Sequence, residues 1–266
     1  MADEIIIFPE YDKIKSEVEM LRTELSMLVL ERDELRFVEC KNIETAYMLE
    51  LGGLEYKAYE AQCTYLRLKR KAELIQARIN RQESVNLAAI DNALDIEFAE
   101  FQEKLNEQIN KMNDAIDRSK RKSLSAKDAT ELKKLYRRIV KALHPDLHPN
   151  IGDQKLKLFD QAIKAYENGD LNTLRIIDVM VSEETLPEIH EDALQVLVKE
   201  RDRLKDMIEG IKESITAIKN DYPYTMKELI SDKKKIAERK TELENILEQF
   251  VSAIATYKTR IEEMVR

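Results

Sequence analysis

His144, Pro145 and Asp146 stand in a row, with His148 two positions further on, and no other stretch of the chain gathers so many side chains able to do chemistry. An imidazole beside a carboxylate is the raw material of acid–base catalysis or of a metal site. Both uses require side chains that converge on one point. Pro145 has no N–H, and its ring disfavours the helical conformation at His144. His144 and His148 therefore do not share one helix face in the way a metal-binding histidine pair does, and no second acidic cluster is placed to complete a ligand set. With five glycines in the whole chain, a glycine-rich phosphate loop is missing too. The residues predict no intrinsic enzyme, no metal and no cofactor. What they do form is a rigid, proline-fixed corner that holds His144 and Asp146 in a bend.

The corner needs an element to hold it. Leu132, Leu135, Tyr136, Ile139 and Leu143 recur at three- and four-residue steps, the signature of one apolar helix face. Lys134, Arg137, Arg138 and Lys141 project onto the opposite side. Residues 131 to 141 hold five bases and one acid, so one face can pack while the other offers positive charge to a partner. Pro145 ends the helix and leaves His144 and Asp146 in the bend.

This helix and corner, followed by Gln154-Lys-Leu-Lys-Leu-Phe159-Asp-Gln-Ala162-Ile163-Lys-Ala165-Tyr166-Glu, resemble helix II, loop and helix III of a J-domain. That is the module by which DnaJ-type co-chaperones engage DnaK-type (heat-shock-70-class) ATPase chaperones. The similarity covers roughly residues 127 to 168. It implies a co-chaperone that stimulates ATP hydrolysis by such a chaperone, with a partner-binding set of Lys134, Arg137, Arg138, Lys141, His144, Pro145 and Asp146. It also implies a supporting core of Leu132, Leu135, Tyr136, Ile139, Leu143, Phe159, Ala162 and Tyr166. Two features depart from the family pattern. The Tyr-x-x-Leu-Gly of helix I is absent upstream, and Tyr166 is followed by Glu-Asn-Gly-Asp-Leu-Asn-Thr-Leu. A substitute for helix I is expected from the end of the helix that carries Met112, Ala115 and Ile116.

Composition bounds the remainder. The 266 residues are 36% charged and 43% hydrophobic, with five Gly, five Pro and no Trp, which points to an all-α chain of long helices. A formal net charge of -8 argues against general nucleic-acid binding, which needs a basic excess. Cys40 and Cys63 are the only cysteines; a disulfide framework or a four-cysteine zinc module is excluded, and two reduced thiols suit the cytoplasm. Ile5-Ile6-Ile7-Phe8 is too short an apolar run for a membrane span. It reads as an extended arm packed on a helix, or as a short strand or plug.

Heptad seams fill the flanks. Ile14, Val18, Leu21, Leu25, Leu28 and Leu35 form the first, over residues 9 to 38, interrupted by Arg32. A second runs from Ile43 to Ile79 across Gly52-Gly53, where a kink or break is expected. A third covers Leu94 to Ile116. Short breaks near Glu39 and Ser84 predict antiparallel packing. Ser125 or Asp128 is expected to cap the basic helix, and Asn168-Gly169-Asp170 to turn the chain into a short helix through Leu171, Leu174, Ile176 and Ile177. From Pro187 the seams return on both sides of Asn220-Asp221-Tyr222-Pro223, predicting an antiparallel hairpin. The expected domains are an N-terminal coiled coil (1–122), a J-domain-like unit (123–182) and a C-terminal coiled-coil hairpin (183–266). The competing reading is a structural coiled-coil scaffold with a degenerate J-like unit. A third, a coiled coil that binds nucleic acid through Arg67-Leu-Lys-Arg-Lys71, has the net acidity against it; such a run is more often a solvated helix face. The tyrosines Tyr47, Tyr56, Tyr59 and Tyr65 read as packing rather than a ligand cage.

Overall fold

The computed structural model describes residues 9–121, 124–182 and 194–266. Ile5–Phe8 and Pro187 lie outside them. All regular structure among the described residues is helical, so the chain is all-α, and no described helix is long and apolar enough to cross a membrane.

The chain is helical from Pro9 to Asn80, through α1 (Pro9–Asp33), a π-helical stretch (Glu34–Glu39), α2 (Cys40–Tyr47), a second π-helical stretch (Met48–Gly52) and α3 (Gly53–Asn80). The break expected near Glu39 is therefore absent. Residues 34–39 contain no helix breaker, and the shift in the apolar seam is absorbed by wider turns. The two glycines do not interrupt the helix either. A Cβ on Gly52 would lie 3.3 Å from Met112 Cγ and from Met48 Sδ, so the missing side chain serves a close helix contact. After a turn come α4 (Leu87–Glu97) and α5 (Ala99–Ser119), then α6 (Ala126–Leu143), α7 (Asp153–Asn168), α8 (Leu171–Ser182) and α9 (Leu194–Asn220). A 3-10 turn (Tyr224–Met226), α10 (Lys227–Ser231) and α11 (Lys233–Val265) complete the order.

These elements divide into two compact units that do not follow the three consecutive domains expected. One unit takes Met1–Lys41 and Lys122–Thr225; the other takes Asn42–Arg121 and Met226–Arg266.

In the first unit α1 and α9 lie side by side and run in the same direction. Glu17 pairs with Lys205 (2.7 Å), Glu24 with Lys212 (3.2 Å) and Glu31 with Lys219 (3.0 Å), each pair one heptad beyond the last on both helices. Val18, Leu25, Val29, Leu204, Ile208, Ile211 and Ile215 are buried in a core that continues into α6, α7 and α8.

In the second unit α4 and α5 return antiparallel along α3, as expected from the turn near Ser84. Lys71 meets Asp91 (2.7 Å), Arg67 meets Asp95 (2.7 Å), and Gln108 Nε2 donates to the Gly52 carbonyl (3.4 Å). The basic run Arg67–Lys71 is thus tied by ion pairs to α4 rather than being only a solvated face; Arg70 bonds Glu97 as well. α11 runs parallel to α3. Lys240 reaches Glu50 (2.7 Å), Tyr65 packs between Phe250 and Tyr257 at 5.8 and 5.5 Å, and Ile261 and Met264 cover the cluster of Ile75, Ile90 and Leu94. The expected hairpin of the last two long helices does not form, because α9 pairs with α1 and α11 with α3. An a/d seam sets that a helix will pair, and leaves partner and direction to the rest of the chain.

Candidate partner-binding site

α6 begins where Ser125 accepts a bond from the Asp128 N–H at 3.1 Å while donating to the Asp128 carboxylate at 2.8 Å, so Ser125 is the cap and Asp128 supports it. Leu132, Leu135, Tyr136, Ile139, Val140 and Leu143 are buried. The helix stops at Leu143, and His144 is extended with ψ 128°, as the residue before a proline must be. The corner then closes on itself. The Asp146 N–H donates to His144 Nδ1 at 3.1 Å, the Leu147 and His148 N–H groups donate to the His144 carbonyl at 3.0 and 2.9 Å, and His148 Nε2 donates to the Lys141 carbonyl at 2.7 Å. His148 is spent on backbone and does not converge on His144 and Asp146.

α7 folds back onto α6. Tyr136 and Tyr166 stack with ring centroids 4.0 Å apart and planes within 5°, and Phe159 meets the His144 ring edge-on at 5.1 Å. Every member of the predicted supporting core is buried. α7 ends on Gly169 in the left-handed region (φ 69°), where a glycine avoids the Cβ penalty. α8 then covers both helices through Leu174 and Ile177.

The cover expected from Met112, Ala115 and Ile116 is not there. Met112 and Ala115 pack with Met48, Leu51 and Ala58 in the other unit, and Ile116 is exposed. The end of α1 and the π-helical stretch after it take that place. Val29 and Leu35 belong to the same core as α6 and α7, and Asp33, 1% exposed, is tied to Tyr136.

The predicted partner-facing residues separate into two groups. Lys134, Arg137, Arg138 and Lys141 are exposed along one side of α6. Arg138 is engaged by Asp178 of α8 in a two-pronged ion pair, with Nε to Oδ1 at 2.7 Å. Arg137 borders an open groove of about 1050 Å³ along α1 that also has Glu31 and Glu34 on its wall. The corner is less open. His144 is 4% exposed, and Pro145 and Asp146 are half-buried.

Two arginines far away in sequence close on this corner. Arg32 of α1 places Nη2 3.3 Å from His144 Nε2 and Nη1 3.9 Å from the Asp146 carboxylate. The same guanidinium donates twice to Asp33 Oδ1, at 3.1 and 2.8 Å. Arg203 of α9 donates to the Asp146 carbonyl at 3.3 Å and is steadied by Glu200, whose carboxyl it holds below the usual range. Burial pushes the His144 imidazole below its ordinary pKa; Arg32 and His148 act with burial, and the Asp146 and Asp33 charges oppose it. Burial, followed by the Asp33 charge, pushes the Tyr136 phenol upward.

Sequence reading missed Arg32, Asp33, Asp178 and Arg203. Arg32 left one trace, as the charged residue that breaks the first heptad seam. Asp33, Asp178 and Arg203 left none, since each sits among ordinary charged helix residues. No protein-family model matches the chain, and no match appears among the curated proteins or the solved structures.

Proposed function

We propose that the chain is a J-type co-chaperone that binds a DnaK-type ATPase chaperone through α6 and the His144-Pro145-Asp146 corner and stimulates its ATP hydrolysis. The observation that carries this reading is a combination. A solvent-facing cationic row ends at a proline-fixed corner, and the next helix is folded back with Phe159 against His144 and Tyr166 against Tyr136. Lys134, Arg137 and Lys141 have no ion-pair partner among the described residues. They are available to steer an acidic surface. Asp146 supplies a carboxylate for a partner arginine, and Pro145 fixes its direction.

Single-turnover ATPase assays with a DnaK-type chaperone test the reading. The wild type accelerates hydrolysis, while His144→Gln and Asp146→Asn lose that effect with helicity unchanged. Equal rates with all three proteins refute it.

A second reading, a scaffold whose J-like unit engages no chaperone, is favoured by the intramolecular contacts of Arg32 and Arg203 with the corner. ATP-dependent retention of the chaperone in a pull-down separates the two.

A further inference from the structure

We propose that Arg32 and Arg203 gate the corner, occupying the acceptors a chaperone arginine would use, so that the corner engages only after these two side chains have swung away. The inference rests on the co-chaperone reading and adds a regulated, closed state to it.

Both kinds of acceptor on Asp146 face an internal guanidinium, the carboxylate toward Arg32 at 3.9 Å and the carbonyl toward Arg203 at 3.3 Å. An incoming arginine competes with both. His144 and Asp146 are also held by bonds within residues 141–148 and by Phe159, none of which involves α1 or α9.

Arg32 also fits the corner imperfectly. A neutral imidazole has one lone pair and one N–H. At His144 two donors converge, the Asp146 N–H on Nδ1 and the Arg32 guanidinium on Nε2. Burial favours the neutral ring, so one donor must go unanswered. A contact that competes with the corner's own hydrogen bond is suited to release. Arg32 and Arg203 have side chains 20% and 32% exposed, so each has a path to solvent through rotamer changes of its own. The Arg32–Asp146 ion pair, at 3.9 Å between side chains 20% and 34% exposed, is weak and screened by salt, whereas the bond to the buried Asp33 carboxylate is the stronger tie on Arg32.

The sign of the effect distinguishes gating from support. If the two arginines hold the corner in its working shape, removing them lowers stimulation. If they gate it, removal raises stimulation. A closed form that outnumbers the open one about tenfold reduces apparent affinity by about the same factor.

Arg32→Met, Arg203→Met and the double variant keep the aliphatic stems and remove the donors. Full-length proteins are compared in single-turnover assays over a range of concentrations, with helicity and melting temperature measured alongside. The expected result is a fall of about fivefold or more in the concentration giving half-maximal stimulation for the double variant, and loss of stimulation when His144→Gln is added. Arg203→Met leaves the Asp33 bonds intact and gives a readable result even where Arg32→Met lowers stability. Unchanged or weaker stimulation by folded Arg203→Met and the double variant overturns the gate and leaves the co-chaperone reading standing. Absence of stimulation by every form, wild type included, removes the co-chaperone reading and the gate with it.

Discussion

The Tyr136 hydroxyl donates to Asp33 Oδ2 at 2.8 Å, with the ring 1% and the aspartate 1% exposed. This bond fastens α6 to the end of α1 and shares the buried carboxylate with Arg32. Losing one of its partners leaves a buried charge less well compensated, which is costly.

Tyr136→Phe keeps the stacked contact with Tyr166 and removes only the donor. A hydrogen bond to a charged group contributes about 2 kcal/mol. The variant is expected to lose about that much in a denaturant melt, with helicity unchanged at low denaturant. A loss below about 0.5 kcal/mol contradicts the role assigned to this bond.

Ser26 has the opposite sign. Its hydroxyl is buried on α1 and has no hydrogen-bond partner among the described residues. Ser26→Ala removes an unsatisfied polar atom and raises helix propensity, so it is expected to stabilise by about 1 kcal/mol. A destabilised variant, read from the same melts, indicates that the hydroxyl is satisfied in solution.

Acid should loosen the first unit through His144. Its imidazole is held below the ordinary value in the fold, chiefly by burial, while the unfolded chain titrates near the reference value of about 6.5. Between those two values the unfolded state binds more protons, so stability falls as pH falls through that window. The drop in melting temperature from about pH 7 to pH 5.5 should be larger for the wild type than for His144→Gln. Parallel curves for the two proteins remove His144 as the cause.

Arg137→Glu with Lys141→Glu tests steering by the cationic row. The screening length shrinks from about 30 Å at 0.01 M salt to about 3 Å at 1 M. The double reversal is expected to slow association with a DnaK-type chaperone by tenfold or more at low salt and to matter little at high salt. A deficit independent of salt points to lost contacts in place of steering.

Local features were legible in the sequence because they obey local rules. Ser125, the stop at Leu143 and the turn at Gly169 follow from caps, proline and glycine, and the break near Ser84 from the end of an apolar seam. The buried face of α6 follows from its 3.6-residue period, and the packing of Phe159 and Tyr166 was implied by the family resemblance. What was not legible depends on distant partners. The seam through Leu25 and Leu28 does not state that α9 covers it in parallel. Glu34–Glu39 carries no mark of the π-helical turns that keep the chain helical there. Asp33 reads as one more surface acid until the fold brings Tyr136 onto it.

The same-direction pairing of α1 with α9 bears on how the protein is made. Glu31 and Lys219, which meet across it, are 188 residues apart in sequence. During synthesis the apolar stripe of α1 leaves the ribosome long before the helix that will shield it, and such distant closures are slow to form. A nascent chain ending ahead of Leu194 leaves Leu25 and Val29 without the cover that α9 provides.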